Sequence, residues 1–274
     1  MPRLPLALPV QDPLTITMNG FNTLRRRFNM QKFLIGICIL LATSAARAES
    51  NLFEQHPFKL VYKAQNNYIS AGTATLSLIK EESGWLLRLA TSPNSIARMA
   101  GVGKIEEKTL LSAAAPPFKA LSYSYKDKKR NSNSFSALVS DNGAEIVITK
   151  SDQTITVPTS DPLVSDRLSA TLAVATELHV NPDFDKLTFA VLHRNGVRGL
   201  VYKNLGTQLI ELDNSTVEAH LVESGRPGSS RKTRTWFAAL DETVKSQRPL
   251  PVKIEQYKNN DLILRLLLTD FDFK

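Results

Sequence analysis

From Phe58 onward, apolar and polar positions alternate with a period of two, the pattern of a strand that buries one face. Phe58, Leu60, Tyr62 and Ala64 interleave with Lys59, Val61 and Lys63, while Ala74, Leu76 and Leu78 interleave with Thr73, Thr75 and Ser77. A third strand is predicted over 85–92. The polar tips between them, Gln65-Asn66-Asn67 and Glu81-Glu82-Ser83-Gly84, are too short for a crossover and predict antiparallel hairpins. The pattern returns downstream. Asp141-Asn142-Gly143 introduces Ile146 and Ile148, Asn195-Gly196 separates 187–194 from 197–203, and Asn259-Asn260-Asp261 divides 252–257 from 262–269. Asn-Gly is the strongest of these turn signals, because a type I′ hairpin needs positive φ at both central residues.

One segment breaks the alternation. After Asp161-Pro162, residues Val164, Leu168, Leu172 and Ala175 recur at helical spacing as far as Leu178. Asp161 suits an N-cap, and Pro162 at the first helical position loses no hydrogen bond. An amphipathic helix of about four turns is therefore expected across one face of the sheet, ending at Asn181-Pro182. The fold class that follows is mainly β: a long antiparallel meander forming a strongly curved sheet or incomplete barrel, with one helix packed on it.

The N-terminal part reads differently. Arg25, Arg26, Arg27 and Lys32 precede an apolar run over 33–42, which ends in small residues and the Ala46-Arg47-Ala48 site. These are the basic, hydrophobic and cleavage regions of a secretory signal, in order. An apolar run of about ten residues falls well short of the roughly twenty that a spanning helix needs. The reading is a non-functional extension over 1–29, a signal peptide over 30–48 cleaved after Ala48, and one β-rich domain over 49–274 in the periplasm. Met30 is preferred as the start over Met18 and Met1.

Removing the leader changes the electrostatics. Residues 1–48 hold six of the 34 Lys and Arg and one of the 26 Asp and Glu, leaving 28 against 25, so the net charge falls from +8 to +3. A domain this balanced gives no case for nucleic acid, which needs a concentrated basic face. The single cysteine, Cys38, also lies in the leader. Ile37 stands before it where lipid attachment needs a small residue, and the mature chain has no disulfide.

Motifs for chemistry are sparse. No two of His56, His179, His193 and His220 stand at zinc-ligand spacing. His220 alternates with Ala219 and Leu221, which assigns it to the exposed face with Glu218. The Gly225-Arg226-Pro227-Gly228-Ser229-Ser230 segment lacks the nucleophile elbow and reads as a loop. Gly101-Val102-Gly103-Lys104 has Ile105 where a phosphate loop needs Ser or Thr. Asn181-Pro182-Asp183-Phe184-Asp185 opens like a calcium loop, but Lys186 sits at its glycine position and Leu192 at its glutamate position. Asp270 and Asp272 share a strand face opposite Phe271 and Phe273, as alternation alone predicts. No catalytic residue, metal ligand or cofactor site emerges, and the expectation is a non-enzyme. Two basic clusters, 126–130 and Arg226 with Arg231, Lys232 and Arg234, are read first as solvated loops and second as contacts to anionic lipid head groups.

Taken in order, Phe58-x-Leu60-x-Tyr62, Gly72-x-Ala74, Asp161-Pro162-Leu163, Asn195-Gly196, Trp236-Phe237-Ala238 and Pro249-Leu250-Pro251-Val252-Lys253-Ile254 resemble the exported bacterial family of domain of unknown function 3108 (DUF3108). The resemblance spans nearly the whole mature chain, though the spacer 241–248 is long for the pattern. It implies no activity and supplies no catalytic residues. In architecture alone the chain is also similar to periplasmic lipoprotein carriers, whose curved sheet is closed by helices over an apolar cavity. The leading functional expectation is an exported, non-enzymatic envelope protein whose partner is a lipid or other envelope component, with a cavity lined from Trp85, Leu87, Leu168 and Trp236. The alternatives are an outer-membrane barrel and an envelope hydrolase with an unrecognised site. Against the barrel stand the helix, the few aromatics and the terminal Lys274.

Overall fold

The computed structural model describes residues 56–273 except 67–68, 114–118, 141–142, 152, 160–164, 214 and 241–248. The leader, Cys38, Asp161-Pro162 and the 241–248 spacer lie outside the described residues. All that is described belongs to the compact unit Leu52–Lys274.

The alternating segments become strands β1 (Phe58–Asn66), β2 (Ile69–Glu81), β3 (Gly84–Pro93), β4 (Ile105–Leu111), β5 (Ala120–Asp127), β6 (Phe135–Val139), β7 (Glu145–Lys150) and β8 (Gln153–Pro158). After helix α2 (Arg167–Val180) come β9 (Lys186–His193), β10 (Gly196–Leu212), β11 (Ser215–Gly225), β12 (Arg231–Ala238), β13 (Leu250–Lys258) and β14 (Asp261–Phe273). A short helix α1 (Ser95–Met99) stands between β3 and β4, and a 3-10 turn, Asn131–Asn133, between β5 and β6.

All 14 strands form one antiparallel sheet in the order β8-β7-β6-β5-β4-β3-β2-β1-β14-β13-β12-β11-β10-β9. The first and last strands therefore meet in the middle of the sheet, where Phe58 pairs with Phe273 and Gln65 with Arg265. The free edges belong to β8 and β9, the strands on either side of α2, and they do not pair with each other. The sheet is strongly curved but open.

Curvature brings the two halves together. Leu192 on β9, with Ala190 and Val197, packs with Tyr123, Ala137, Ile146 and Ile148 of β5–β7. The alternate β9 residues Leu187, Phe189 and Val191 pack with Ala170, Val174 and Leu178 of α2, so β9 is covered on both faces. Leu168 and Leu172 of the same helix join Phe58, Leu60, Tyr62, Leu76, Leu78 and Leu87 in the largest apolar cluster. Each fully buried leucine there contributes about 1.5–3 kcal/mol. Helix α2 thus packs on one face of the sheet, the concave one, as the periodicity predicts. It lies in the concavity with two walls around it. An apolar interior crossed by a helix is the reverse of an outer-membrane barrel, whose lumen is polar.

Two local expectations change. The helix starts at Arg167 with Asp166 as N-cap, not at Asp161, and a capping box with Ser169 fixes that start. In the β9–β10 hairpin the turn residues are Arg194 and Asn195, with Gly196 opening the next strand at φ +129°. The two-residue left-handed turn occurs instead at Asn259 and Asn260, with φ of 52° and 69° between the paired Lys258 and Asp261. Asn tolerates that region because its short side chain bonds locally.

Candidate ligand site

The start of α2 is held by a buried polar network. The Asp166 carboxylate accepts hydrogen bonds from the Leu168 amide (2.8 Å), the Ser169 amide (3.1 Å), the Ser169 hydroxyl (2.8 Å) and the Thr109 hydroxyl of β4 (2.8 Å). Burial pushes its pKa up against the downward pull of those bonds. Its acceptor capacity is filled within the protein, which is the behaviour of a structural anchor. Next along the chain, the Arg167 guanidinium pairs with Glu107 of β4, and Tyr123 of β5 donates to the other Glu107 oxygen at 2.9 Å. The Glu107 charge holds Arg167 strongly protonated, and burial with that same charge pushes Tyr123 up. Arg167 is itself half open, with 53% of its side-chain surface accessible.

More cations converge on this end of the helix. Ser165 bridges to β9, its amide donating to the Ala190 carbonyl and its carbonyl accepting from the Leu192 amide, which sets Arg167 close to His193. His193 and Arg198 lie on the same face of the β9–β10 hairpin as Val191, Leu200 and Tyr202, the face turned to α2. Gly225 pairs with Val201, so Arg226 follows beside Leu200. Burial, then the charges of Arg198, Arg226, Arg194 and Arg167, hold the His193 pKa below the ordinary histidine value. The Arg194 Nε is buried with no hydrogen-bond partner among the described residues. Four arginines and a histidine thus gather where, among the described residues, Glu107 is the ion-paired carboxylate.

An apolar cavity opens beside them. It is lined by Phe58, Tyr62, Leu76, Leu87, Leu89, Leu168, Thr171, Leu172, Ala175, Leu250, Pro251 and Ile254. It holds about 480 Å³ of space free of atoms, mouth included, of which the centre of a water molecule can occupy about 50 Å³. Leu87 and Leu168 line it as the sequence predicts; Trp85 and Trp236 do not. Trp236 is buried elsewhere, donating from Nε1 to Gln208 at 3.1 Å beneath the Lys253 ammonium. Two links join the cavity to the arginine cluster. Leu89 pairs with Glu107 across β3–β4, and Thr171 stands one helical turn beyond Arg167, its hydroxyl donating to the Arg167 carbonyl at 2.9 Å.

The other residues singled out from sequence fall elsewhere. His56 and His179 are exposed, and His220 is half-buried with its Nδ1 enclosed, not solvated with Glu218 as alternation suggests. It lies beside Phe237, whose strand is packed on both sides. Asp270 and Asp272 are exposed, with Phe273 against the core. In the second basic cluster, Lys232 and Arg234 both pair with Glu223 at 3.0 Å, and Arg234, Glu255 and Arg265 continue that row across the sheet. Burial alone would raise Glu255, but bonds from Tyr257, Arg265 and Lys253 draw it below the usual carboxylate range. Among the described residues no group of three or more His, Cys, Asp or Glu is placed to hold a metal.

An open, strongly curved antiparallel sheet wrapped round a helix belongs to the β-barrel-like folds. The crystal structure of a beta-barrel-like protein of domain of unknown function DUF1849 from Brucella abortus has this architecture, with a TM-score of 0.51 over 81% of this chain and 99% of that one. The 9% identity makes this a likeness of fold alone. No family model matches the chain, DUF3108 being a resemblance of motifs, and no curated protein matches it.

Proposed function

We propose that this chain is an exported, non-enzymatic protein of the cell envelope that holds an anionic amphiphile, its apolar part between α2 and the sheet and its charged head at the arginine cluster. The observation that carries this reading is the adjacency of an apolar cavity and a cationic mouth on one helix. Arg167 and Thr171 span the junction, and Leu168, Leu172 and Ala175 continue along the apolar side. Ligand sites combine this mostly apolar lining with a few oriented polar groups. The acidic groups nearby are engaged: Asp166 by its cap and Thr109, Glu107 by Arg167 and Tyr123. That supports binding over acid or base chemistry.

The test is native mass spectrometry of protein made from Met30 with its own leader and purified without detergent. The expected result is a mass beginning at Glu49 with a lipid-sized adduct that a Thr171→Phe variant loses. A mass beginning at Glu49 that takes up neither fatty acid nor anionic phospholipid overturns the ligand reading and leaves export standing. A mass that retains 33–48 overturns export.

A further inference from the structure

A second surface lies at the end of the sheet that carries the β3–β4 and β5–β6 connections. Helix α1 is pinned there: the Asn94 side chain caps it by accepting from the Ala97 amide (2.9 Å) and donates to the Ser70 carbonyl (2.7 Å), while the Asn94 amide donates to the Ala71 carbonyl (3.0 Å). Ala97 is the buried residue of α1. Ile96, Met99 and Val102 project outward at 65%, 88% and 46% exposure. A tethered helix that shows its large apolar side chains to water has an exposure set by its anchoring, and such apolar groups mark an interaction site.

The adjoining turn supplies the charge. The Lys128 amide donates to the Lys104 carbonyl at 3.0 Å. Gly103 permits the close approach, since a Cβ there would stand 2.6 Å from the Lys129 Cβ and 2.9 Å from an Asp127 oxygen. Arg98, Lys104, Lys126, Lys128, Lys129 and Arg130 are all exposed, and none is ion-paired among the described residues. The tip's carboxylate, Asp127, is buried, accepting from the Lys129 and Arg130 amides (3.0 Å each), and of the tip's cations Arg130 acts on its charge. Glu106, opposite Lys126 across β4–β5, is bound to Arg88 and Lys108. The tip is therefore a small apolar point ringed by cations in excess of its carboxylates. The paired Lys232 and Arg234 show what a neutralised basic segment of this protein looks like.

We infer that this tip docks the protein peripherally on an anionic lipid bilayer, Ile96, Met99 and Val102 entering the interface while the surrounding lysines and arginines contact head-group phosphates. Exposed apolar residues set among cations suit that partner, because apolar insertion and attraction to anionic lipid add. A nucleic acid would use the cations and leave the apolar residues idle. This surface is separate from the α2 cavity and stands whether or not the cavity takes a ligand.

Flotation with phosphatidylglycerol-containing and pure phosphatidylcholine vesicles tests it, using protein produced from the full reading frame. Binding to anionic vesicles is expected to exceed binding to neutral ones. Ile96→Asp with Met99→Asp, and separately Lys128→Glu with Lys129→Glu, are each expected to weaken it about tenfold or more, with unchanged circular dichroism melting. Equal binding to both vesicle types, or unchanged binding in both variants, as retained leader would give, overturns the assignment. So does a DNA affinity equal to the lipid affinity together with indifference to the Ile96 and Met99 substitutions.

Discussion

At the scale of single residues, Asp166 does most to place α2. It caps the helix and ties it to Thr109, so Asp166→Ala removes four accepted hydrogen bonds and leaves the Thr109 hydroxyl without an acceptor. A loss of about 2–4 kcal/mol is expected, read by urea denaturation. His193 gives a pH signature. Its depressed pKa means the unfolded chain, near 6.5, binds the proton first as pH falls, so stability declines on acidification through and below that value. An anionic ligand reverses the preference, and its affinity should rise over the same acid range. His193→Gln should flatten both trends, which melting and ligand titrations between about pH 5 and pH 7.5 would show. The sequence gives little hint of this cluster. Arg167, Arg194, Arg198 and Arg226 come from one helix, one turn and two strand ends, brought together by the β9–β10–β11 register and the Ser165 bridge from α2 to β9. Glu107 does carry a faint signal, an acidic residue on the inward side of Thr109 and Leu111.

At the scale of elements, alternation reads well where one face is buried and the other is wet. β1 and β2 follow it residue by residue, with Leu60, Tyr62 and Leu78 buried between exposed Lys59, Lys63 and Ile79. It reads poorly where both faces are covered, as in β9 and in β12, whose last four residues are all buried. The helix period was legible from Leu168, but its start was not, because Pro162 outweighs Asp166 as a sequence signal. The distributed burial of α2 also predicts its response to truncation. Leu172→Ala should cost about 2–5 kcal/mol, since it opens the wall between helix and β1–β3, whereas the exposed Val180→Ala should change stability by less than about 0.5 kcal/mol. Denaturant midpoints of the two variants would separate these cases.

At the scale of the whole molecule, the fold depends on contacts that are far apart in sequence. The first and last strands form the central ladder, so β14 must be present before the sheet can be completed. Folding in milliseconds to seconds is expected, in keeping with such long-range pairing. Phe58 and Phe273 are neighbours, so a chain begun at Phe58 can have Phe273 joined to it and new ends opened at the exposed Pro227-Gly228 turn. That permutant should keep the wild-type melting temperature within a few degrees but fold at a different rate, as stopped-flow mixing would show.

The unpaired β8 and β9 edges have one further consequence. Elsewhere around the wall, widening the interior means breaking a ladder of backbone hydrogen bonds. Between these two strands it means loosening side-chain packing around Leu192 and Ile148, the Lys150–Asn195 hydrogen bond and the short Ser165 bridge. The wall therefore works like a cuff fastened by a clasp. For the anionic amphiphile proposed above, the resting bore would then not limit the girth that can be enclosed, and the stiffness of the clasp would set how readily it is released.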